Sequence, residues 1–432
     1  MTTPSARPIS ASDFATNVLA MIVGLVVLWA AQSRNPAAVL GNAVMASVVA
    51  ATIIAMSDCL RFRVHARPST QLTWTNTQPA NAQRVFVKLV GLVLPLSLIA
   101  AAYWVFPEYH GTFYQPFWAL LKTYGVWFLV AAPLYFWMLD GALAEPRDSY
   151  WEVGMLLAGR RPGSWGAVAQ HFGGWAVKGF FLPLMIVYLT QELTTVYSWW
   201  QQVAGGNTHA IVWYDFLYHL SFLVDLMFCI IGYSVTMRVF DSHIRSTEPT
   251  AGGWLVALLC YQPFYSIIEA QYLHYEDGYY WSAWLESITW LHAAWAAAII
   301  ALLLVYASAT VAFGLRFSNL THRGIITSGP YRFTKHPAYV AKNLSWWLIS
   351  IPFISQQGWR EALHNCIALG LLNLVYFLRA RTEEHHLSRD PVYIAYAQWL
   401  EQHGMFRFMR RLIPALRYQA PLGTLGQNIE MR

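Results

Sequence analysis

Two stretches near the C-terminus concentrate the residues able to do chemistry. One is Ser328-Gly329-Pro330-Tyr331-Arg332-Phe333-Thr334-Lys335-His336-Pro337-Ala338-Tyr339, the other Arg379-Ala380-Arg381-Thr382-Glu383-Glu384-His385-His386-Leu387. Together they hold imidazole, phenol and guanidinium groups and the carboxylate pair Glu383 and Glu384. That inventory suits a cationic, zwitterionic cofactor. Carboxylates and aromatic faces stabilise a sulfonium or an α-ammonium, carboxylates also bond ribose hydroxyls, and arginine pairs with a carboxylate. Singly, the residues have plainer roles: Arg379 and Glu383, four apart, suit a helix-end ion pair, and His336 suits a helix cap.

The elements that must position these groups are membrane helices. The chain is 56% hydrophobic and 12% charged, with a mean hydropathy of +0.37, whereas a soluble domain carries about 25% charged residues. Aromatic residues make up 16%, and clusters such as Trp199-Trp200 and Tyr279-Tyr280-Trp281 sit at the ends of apolar runs, as interfacial belts do. Apolar runs predict about ten spans, near 14–32, 38–56, 84–106, 117–139, 176–197, 211–237, 252–272, 290–315, 337–354 and 362–380. Two are irregular. Residues 252–272 contain Gln262, Pro263 and Glu269 and also fit an interfacial helix; residues 337–354 are short and form a hairpin with 362–380 through Gln356-Gln357-Gly358.

Charge sets the expected orientation. The loop with Arg61, Arg63, Arg67, Arg84 and Lys88 is basic and is expected in the cytoplasm. Counting from it places both termini inside, together with the basic loops around Arg160 and Arg323, and leaves Glu269, Glu276, Asp277 and Glu286 outside. The net charge of +6 is thereby a membrane-surface feature, with anionic lipids rather than nucleic acid as its partner. The four scattered cysteines show neither metal-site nor disulfide spacing, and no metal is expected.

A hairpin returns to the face it left, so the two polar stretches that bracket the last one should meet. Gly329-Pro330 predicts a turn, and His336-Pro337 predicts a helix start with proline where its missing N–H is harmless. Composition shifts near residue 315, dividing the chain into a multi-span region 1–314 and a C-terminal region 315–432. Within the latter, Asp390-Pro391 predicts an N-cap and a helix 391–402 bearing Tyr393, Tyr396 and Trp399. Residues 405–418 read as an interfacial amphipathic segment.

From about Leu315 to Leu416 the chain resembles the isoprenylcysteine carboxyl methyltransferase family and the related membrane phospholipid methyltransferases. The resemblance rests on Gly329-Pro330-Tyr331-Arg332, Lys335-His336-Pro337-Ala338-Tyr339, Glu383-Glu384-His385-His386-Leu387 and Tyr393-Ile394-Ala395-Tyr396. Lys335 replaces the usual arginine, and Ala341 a frequent glycine. The resemblance implies an all-α integral membrane enzyme with a helical cofactor cleft on the cytoplasmic face, S-adenosylmethionine as cofactor, and a lipid-like or prenylated acceptor. Carried over residue by residue, it makes Tyr331, His336, Pro337, Tyr339, Glu383, Glu384 and His385 the candidate cofactor-binding residues. Glu384, Arg332 and Arg381 are the candidate catalytic ones, with Glu384 or His385 the base if the acceptor is an amine.

The resemblance leaves the first 314 residues unexplained. Asp140, Glu192, Asp215, His219 and Asp225 lie in or near apolar runs, where ionisable groups either bond between helices or serve function; the functional reading is an acceptor chamber. Two other readings compete: an NADPH-dependent membrane sterol or isoprenoid reductase, and a non-enzymatic lipid transporter or binding protein.

Overall fold

The computed structural model describes residues 6–75, 77–413 and 417–418. The helices in chain order are α1 (Phe14–Arg34), α2 (Val39–Leu60), α3 (Ala82–Val105), α4 (Gln115–Ala142), α5 (Ser149–Leu156), α6 (Trp165–Ala204), α7 (Ala210–Ser234), α8 (Ala251–Leu258), α9 (Phe264–Gln271), α10 (Trp281–Leu285), α11 (Thr289–Phe313), α12 (Pro337–Ser350), α13 (Trp359–Leu387), α14 (Pro391–His403) and α15 (Met409–Leu412). The sheet among the described residues is one antiparallel pair, β1 (Ser246–Thr247) with β2 (Thr321–His322). The protein is an all-α integral membrane protein. Among the described residues eight helices are long and apolar enough to cross a bilayer: α1 to α4, α6, α7, α11 and α13.

The two irregular runs become short traverses rather than full spans. Residues 251–288 are broken into α8, α9 and α10 around Pro263. They nonetheless pass from one end of the bundle to the other. Ser246, just before them, pairs with His322 beside the polar motifs, while Asp277 accepts from Ser355 Oγ (2.7 Å) at the far turn of the hairpin. Helix α12 has 14 residues, about 21 Å of rise, against roughly 30 Å of hydrocarbon.

Local signals start the helices where the sequence placed them. Asp13 accepts from Thr16 N (2.9 Å) to cap α1, and Asp390 accepts from Val392 N (2.7 Å) to cap α14. Pro95, Pro133 and Pro183 lie inside α3, α4 and α6, positions that neighbouring helices make tolerable in a membrane. The central core joins α1, α2, α6, α7 and α11 through residues such as Leu28, Ile54, Phe181, Phe228 and Val311.

Buried charges tie this core to the C-terminal motifs. Arg316 donates to Asp58 (2.9 Å) and to the Phe240 carbonyl (3.0 Å). Arg323, 2% exposed, donates to five carbonyls, those of Ser242, Gly232, Phe317, Val235 and Leu315, at 2.6–2.9 Å. Burial and the nearby Arg316 charge pull its pKa down to about 9, which still leaves it protonated at neutral pH. Gly232 permits this junction, because a Cβ there would stand 2.3 Å from the Phe317 carbonyl oxygen. Asp140 is a structural anchor, bonded by Arg84 (2.9 Å) and Lys88 (3.1 Å). The interfacial segment falls partly outside the described residues; within them Met405, Phe408, Met409, Leu412 and Ile413 are exposed apolar side chains.

Candidate active site

The hairpin α12–α13 brings the two polar stretches together. Asn373 links the helices, accepting from Trp347 Nε1 (2.8 Å) and donating to Asn343 (3.0 Å). Upstream, Gly329 adopts φ +59°, and a Cβ there would meet the Phe14 ring at 2.8 Å. The Tyr396 hydroxyl of α14 donates to the Tyr331 carbonyl (2.6 Å), fixing this loop against the base of the hairpin.

The two adjacent glutamates have different surroundings. Glu384 is 8% exposed and receives Lys335 Nζ (2.7 Å), His336 Nε2 (3.0 Å) and Arg381 Nη1 (3.2 Å). Its oxygens are committed to the protein. Glu383 is 40% exposed, accepts from the Tyr339 hydroxyl (2.8 Å), and faces a cavity. The rings of His336 and Tyr339 stack at 5.4 Å and 5° beside it. Arg379 does not pair with Glu383. It turns the other way, donating to Asn319 Oδ1 (2.6 Å) between the rings of Tyr261 and Tyr339.

The cavity measures about 410 Å³ and is shared by both regions of the chain. From the C-terminal region come Tyr331, His336, Tyr339, Lys342, Trp346, Tyr376, Arg379 and Glu383; from α6, α7 and α11 come Tyr188, Glu192, Phe222, Asp225, Tyr306, Thr310 and Phe313. Asp225 accepts from Tyr306 (2.8 Å) and Thr310 (2.5 Å). Lys342 Nζ stands 5.3–5.8 Å from the rings of Tyr306, Trp346 and Tyr376, with no hydrogen bond or ion pair among the described residues. An ammonium has three donors and no acceptor, so one ringed by aromatic faces on a cavity wall is available to whatever fills it.

A smaller pocket of about 50 Å³ lies behind His336 and Glu383, lined by Thr321, Ile325, Tyr393 and Tyr396. The hydroxyls of Tyr393 and Thr321 are buried there without a hydrogen-bond partner among the described residues. Burial and the nearby glutamates push the Tyr393 phenol well above its ordinary pKa, so it stays protonated and able to donate. A buried unpaired hydroxyl is costly, and two on one pocket mark a place for a polar ligand.

Most of the residues singled out in the sequence converge, but not in equal roles. Tyr331, His336, Tyr339 and Glu383 line the cavity, and Pro337 is buried as the first residue of α12. Glu384 lies behind them as the group that organises Lys335 and His336, and Arg381 reaches it from a part-exposed position. Arg332, a candidate catalytic residue, is exposed over the Phe333 ring and does not line the cavity. His385 is likewise exposed and off the cavity, because successive residues of a helix turn by about 100° and Glu383 and Glu384 take the inward positions. His386 points inward instead, to Ser246 Oγ (2.8 Å). The sequence reading passed over Lys342, Asn319 and Tyr261. Lys342 had a signal, a lone charge inside an apolar run; Asn319 and Tyr261 had none.

Residues 291–389 match the family model described as the isoprenylcysteine carboxyl methyltransferase (ICMT) family. No curated protein and no solved structure matches the chain. The match runs from α11 through the end of α13 and contains both polar stretches and the hairpin between them, so the likeness to the ICMT family lies in the segment that builds the site.

Proposed function

We propose that the protein is an S-adenosylmethionine-dependent membrane methyltransferase acting on a lipid-like or prenylated amphiphile. The observation that carries this reading is that Glu383, Tyr339 and His336 face a cavity that is also walled by residues of α6, α7 and α11. The residues fit such a cofactor: Glu383 offers a carboxylate to a cation, the His336–Tyr339 stack offers an aromatic face, and the unpaired hydroxyls of Tyr393 and Thr321 offer donors in the adjoining pocket. When bound, the cofactor supplies an electrophilic methyl group on a sulfonium.

The chain's own contribution is then positioning and exclusion of water. Glu384, held by three donors, fixes Lys335 and His336 and is a positioning residue rather than a base. Lys342 and Asp225 hold the acceptor's polar head between them, Lys342 favouring an acidic oxygen. Phe222, Phe313 and Phe317 line an apolar way out for the tail. An acid oxygen needs no base. For an amine acceptor, Glu383 is the cavity-lining carboxylate that stands beside His336 and Tyr339, while Glu192 and Asp225 line the cavity from α6 and α7. On this reading residues 315–432 form the cofactor-binding region and 1–314 the acceptor chamber. The basic loops and both termini share the cofactor's side, the cytoplasm.

Calorimetric titration of the detergent-purified protein with S-adenosylhomocysteine tests the reading. Saturable micromolar binding that weakens in Glu383→Gln supports it. Binding of NADPH in place of S-adenosylhomocysteine would move the protein to the reductases, and binding of neither would leave a lipid carrier.

A further inference from the structure

A second cavity lies at the opposite end of the bundle. It measures about 250 Å³ and is lined by Tyr214, Asp215, Tyr218 and His219 of α7, by Tyr280, Trp281 and Ser282 at the start of α10, and by Ile349 near the end of α12. The last of these fixes its location: His336, at the start of α12, belongs to the main cavity, and thirteen residues of helix place Ile349 roughly 20 Å away along the axis. Asp215 makes no hydrogen bond or ion pair among the described residues, leaving its carboxylate to the cavity.

Residues lining this vestibule touch residues lining the main cavity. Glu192 of α6 lines the main cavity, His219 of α7 lines the vestibule, and the two meet through one contact, Glu192 Oε2 to His219 Nδ1 at 2.8 Å. Each side chain is about a quarter exposed (25% and 26%), although the pair sits between packed helices. Beside it, Tyr218 of the vestibule and Phe222 of the main cavity face each other with ring centroids 5.1 Å apart. Thus one polar contact and one aromatic contact join the linings of the two cavities. Neither is a covalent or backbone constraint, and a rotamer change at His219 breaks the first.

We propose that the vestibule is a second aqueous entrance to the main cavity, closed by the Glu192–His219 pair and selective for cations and neutral polar groups. The selectivity follows from the carboxylates along the route: Asp215 in the vestibule, Glu192 in the pair and Asp225 beyond it. A cleft of one charge sign with low-dielectric walls concentrates counter-ions and excludes ions of its own sign. The route lets water and small cations exchange with the main cavity without passing Glu383, whatever chemistry the cavity performs.

Cys260 lines the main cavity and is part-exposed, so its thiol reports access. The experiment uses the full-length protein in sealed vesicles of each orientation. Cys260 is labelled with a membrane-impermeant trimethylammonium methanethiosulfonate or its sulfonate counterpart, and Cys260→Ser identifies the site. In the wild type, labelling from the vestibule side is expected to be slow. In His219→Ala and in Glu192→Gln it should rise on the order of tenfold, with the cationic reagent faster than the anionic by a similar factor. Labelling from the cofactor side at the wild-type rate shows that each variant is folded. If both folded variants label from the vestibule side no faster than wild type, the entrance does not exist. If the two reagents react equally fast, the acidic selectivity is wrong.

Discussion

The Tyr339 hydroxyl donates to Glu383 at 2.8 Å, so the exposed member of the glutamate pair is held by a phenol while the buried member is held by cations. The two carboxylates are neighbours in the chain, yet they answer to different tests. Glu383→Gln removes the charge facing the cavity and should weaken S-adenosylhomocysteine binding by about 10- to 100-fold, the equivalent of one charged hydrogen bond. Calorimetry on the purified variant reads this directly.

Glu384→Gln should behave otherwise. Lys335 and His336 lose the negative charge of their common partner, and one of its two acceptor oxygens becomes an NH2 donor. The expected result is a lower unfolding temperature in detergent together with weaker cofactor binding, whereas Glu383→Gln should leave thermal stability near wild type. Equal stability of the two variants would contradict the division of roles.

If Lys342 holds the acceptor's head as proposed, Lys342→Met should keep cofactor binding and should reduce affinity for amphiphiles with an acidic head more than for neutral ones. Lys342→Arg should restore part of the difference. Trp346, one of the rings around the ammonium, offers a fluorescence readout for titration with a long-chain carboxylate against the matching alcohol.

Arg323→Met leaves the carbonyls of Ser242, Gly232, Phe317 and Leu315 without this donor, while the Val235 carbonyl keeps Ser242 Oγ at 2.7 Å. Each buried unpaired acceptor costs about 1–3 kcal/mol, so even with partial relaxation the loss should exceed roughly 3 kcal/mol. Thermal unfolding in detergent would show it as a large fall in midpoint, without a specific change in cofactor affinity in the folded fraction.

Asp390 gives a pH dependence with a definite sign. Burial alone would raise its pKa, but His322 Nε2 at 3.1 Å and the Val392 N–H outweigh that and leave it below the ordinary value. A depressed carboxyl contributes stability that is complete above its unfolded pKa of about 3.9 and is lost as pH falls through the folded value. Asparagine caps a helix about as well as aspartate, so Asp390→Asn should lower stability at neutral pH through the lost charge alone, with the gap from wild type closing in strong acid. A gap independent of pH would show that the charge is not what matters.

The membrane class and the meeting of the two motifs were legible because each rests on a local pattern. Apolar runs mark helices, and a hairpin returns its ends to one face, so the two stretches were expected to meet; the pairing of His336 with Glu384 and of Tyr339 with Glu383 is seen only in the structure. The inward or outward aim of adjacent polar residues was not legible. Glu383, Glu384, His385 and His386 all read as polar at a helix end, and only the packing of α13 against its neighbours turns His385 outward and His386 toward Ser246. The same holds for Glu192 and His219, which are 27 residues apart on different helices. Nothing in their spacing announces a pair. Arg379 and Glu383 taught the converse: the spacing suggested an ion pair, and Asn319, sixty residues away, took the guanidinium instead.

The shortness of α12 changes the bilayer as well as the protein. A 14-residue helix falls roughly 9 Å short of the hydrocarbon thickness, and a membrane meeting such a mismatch thins beside it or admits water along it. Lys342 and Trp346, both on this helix, line the cavity along its length. An amphiphile drifting past that dent would have its polar end lowered toward the cavity before touching any side chain.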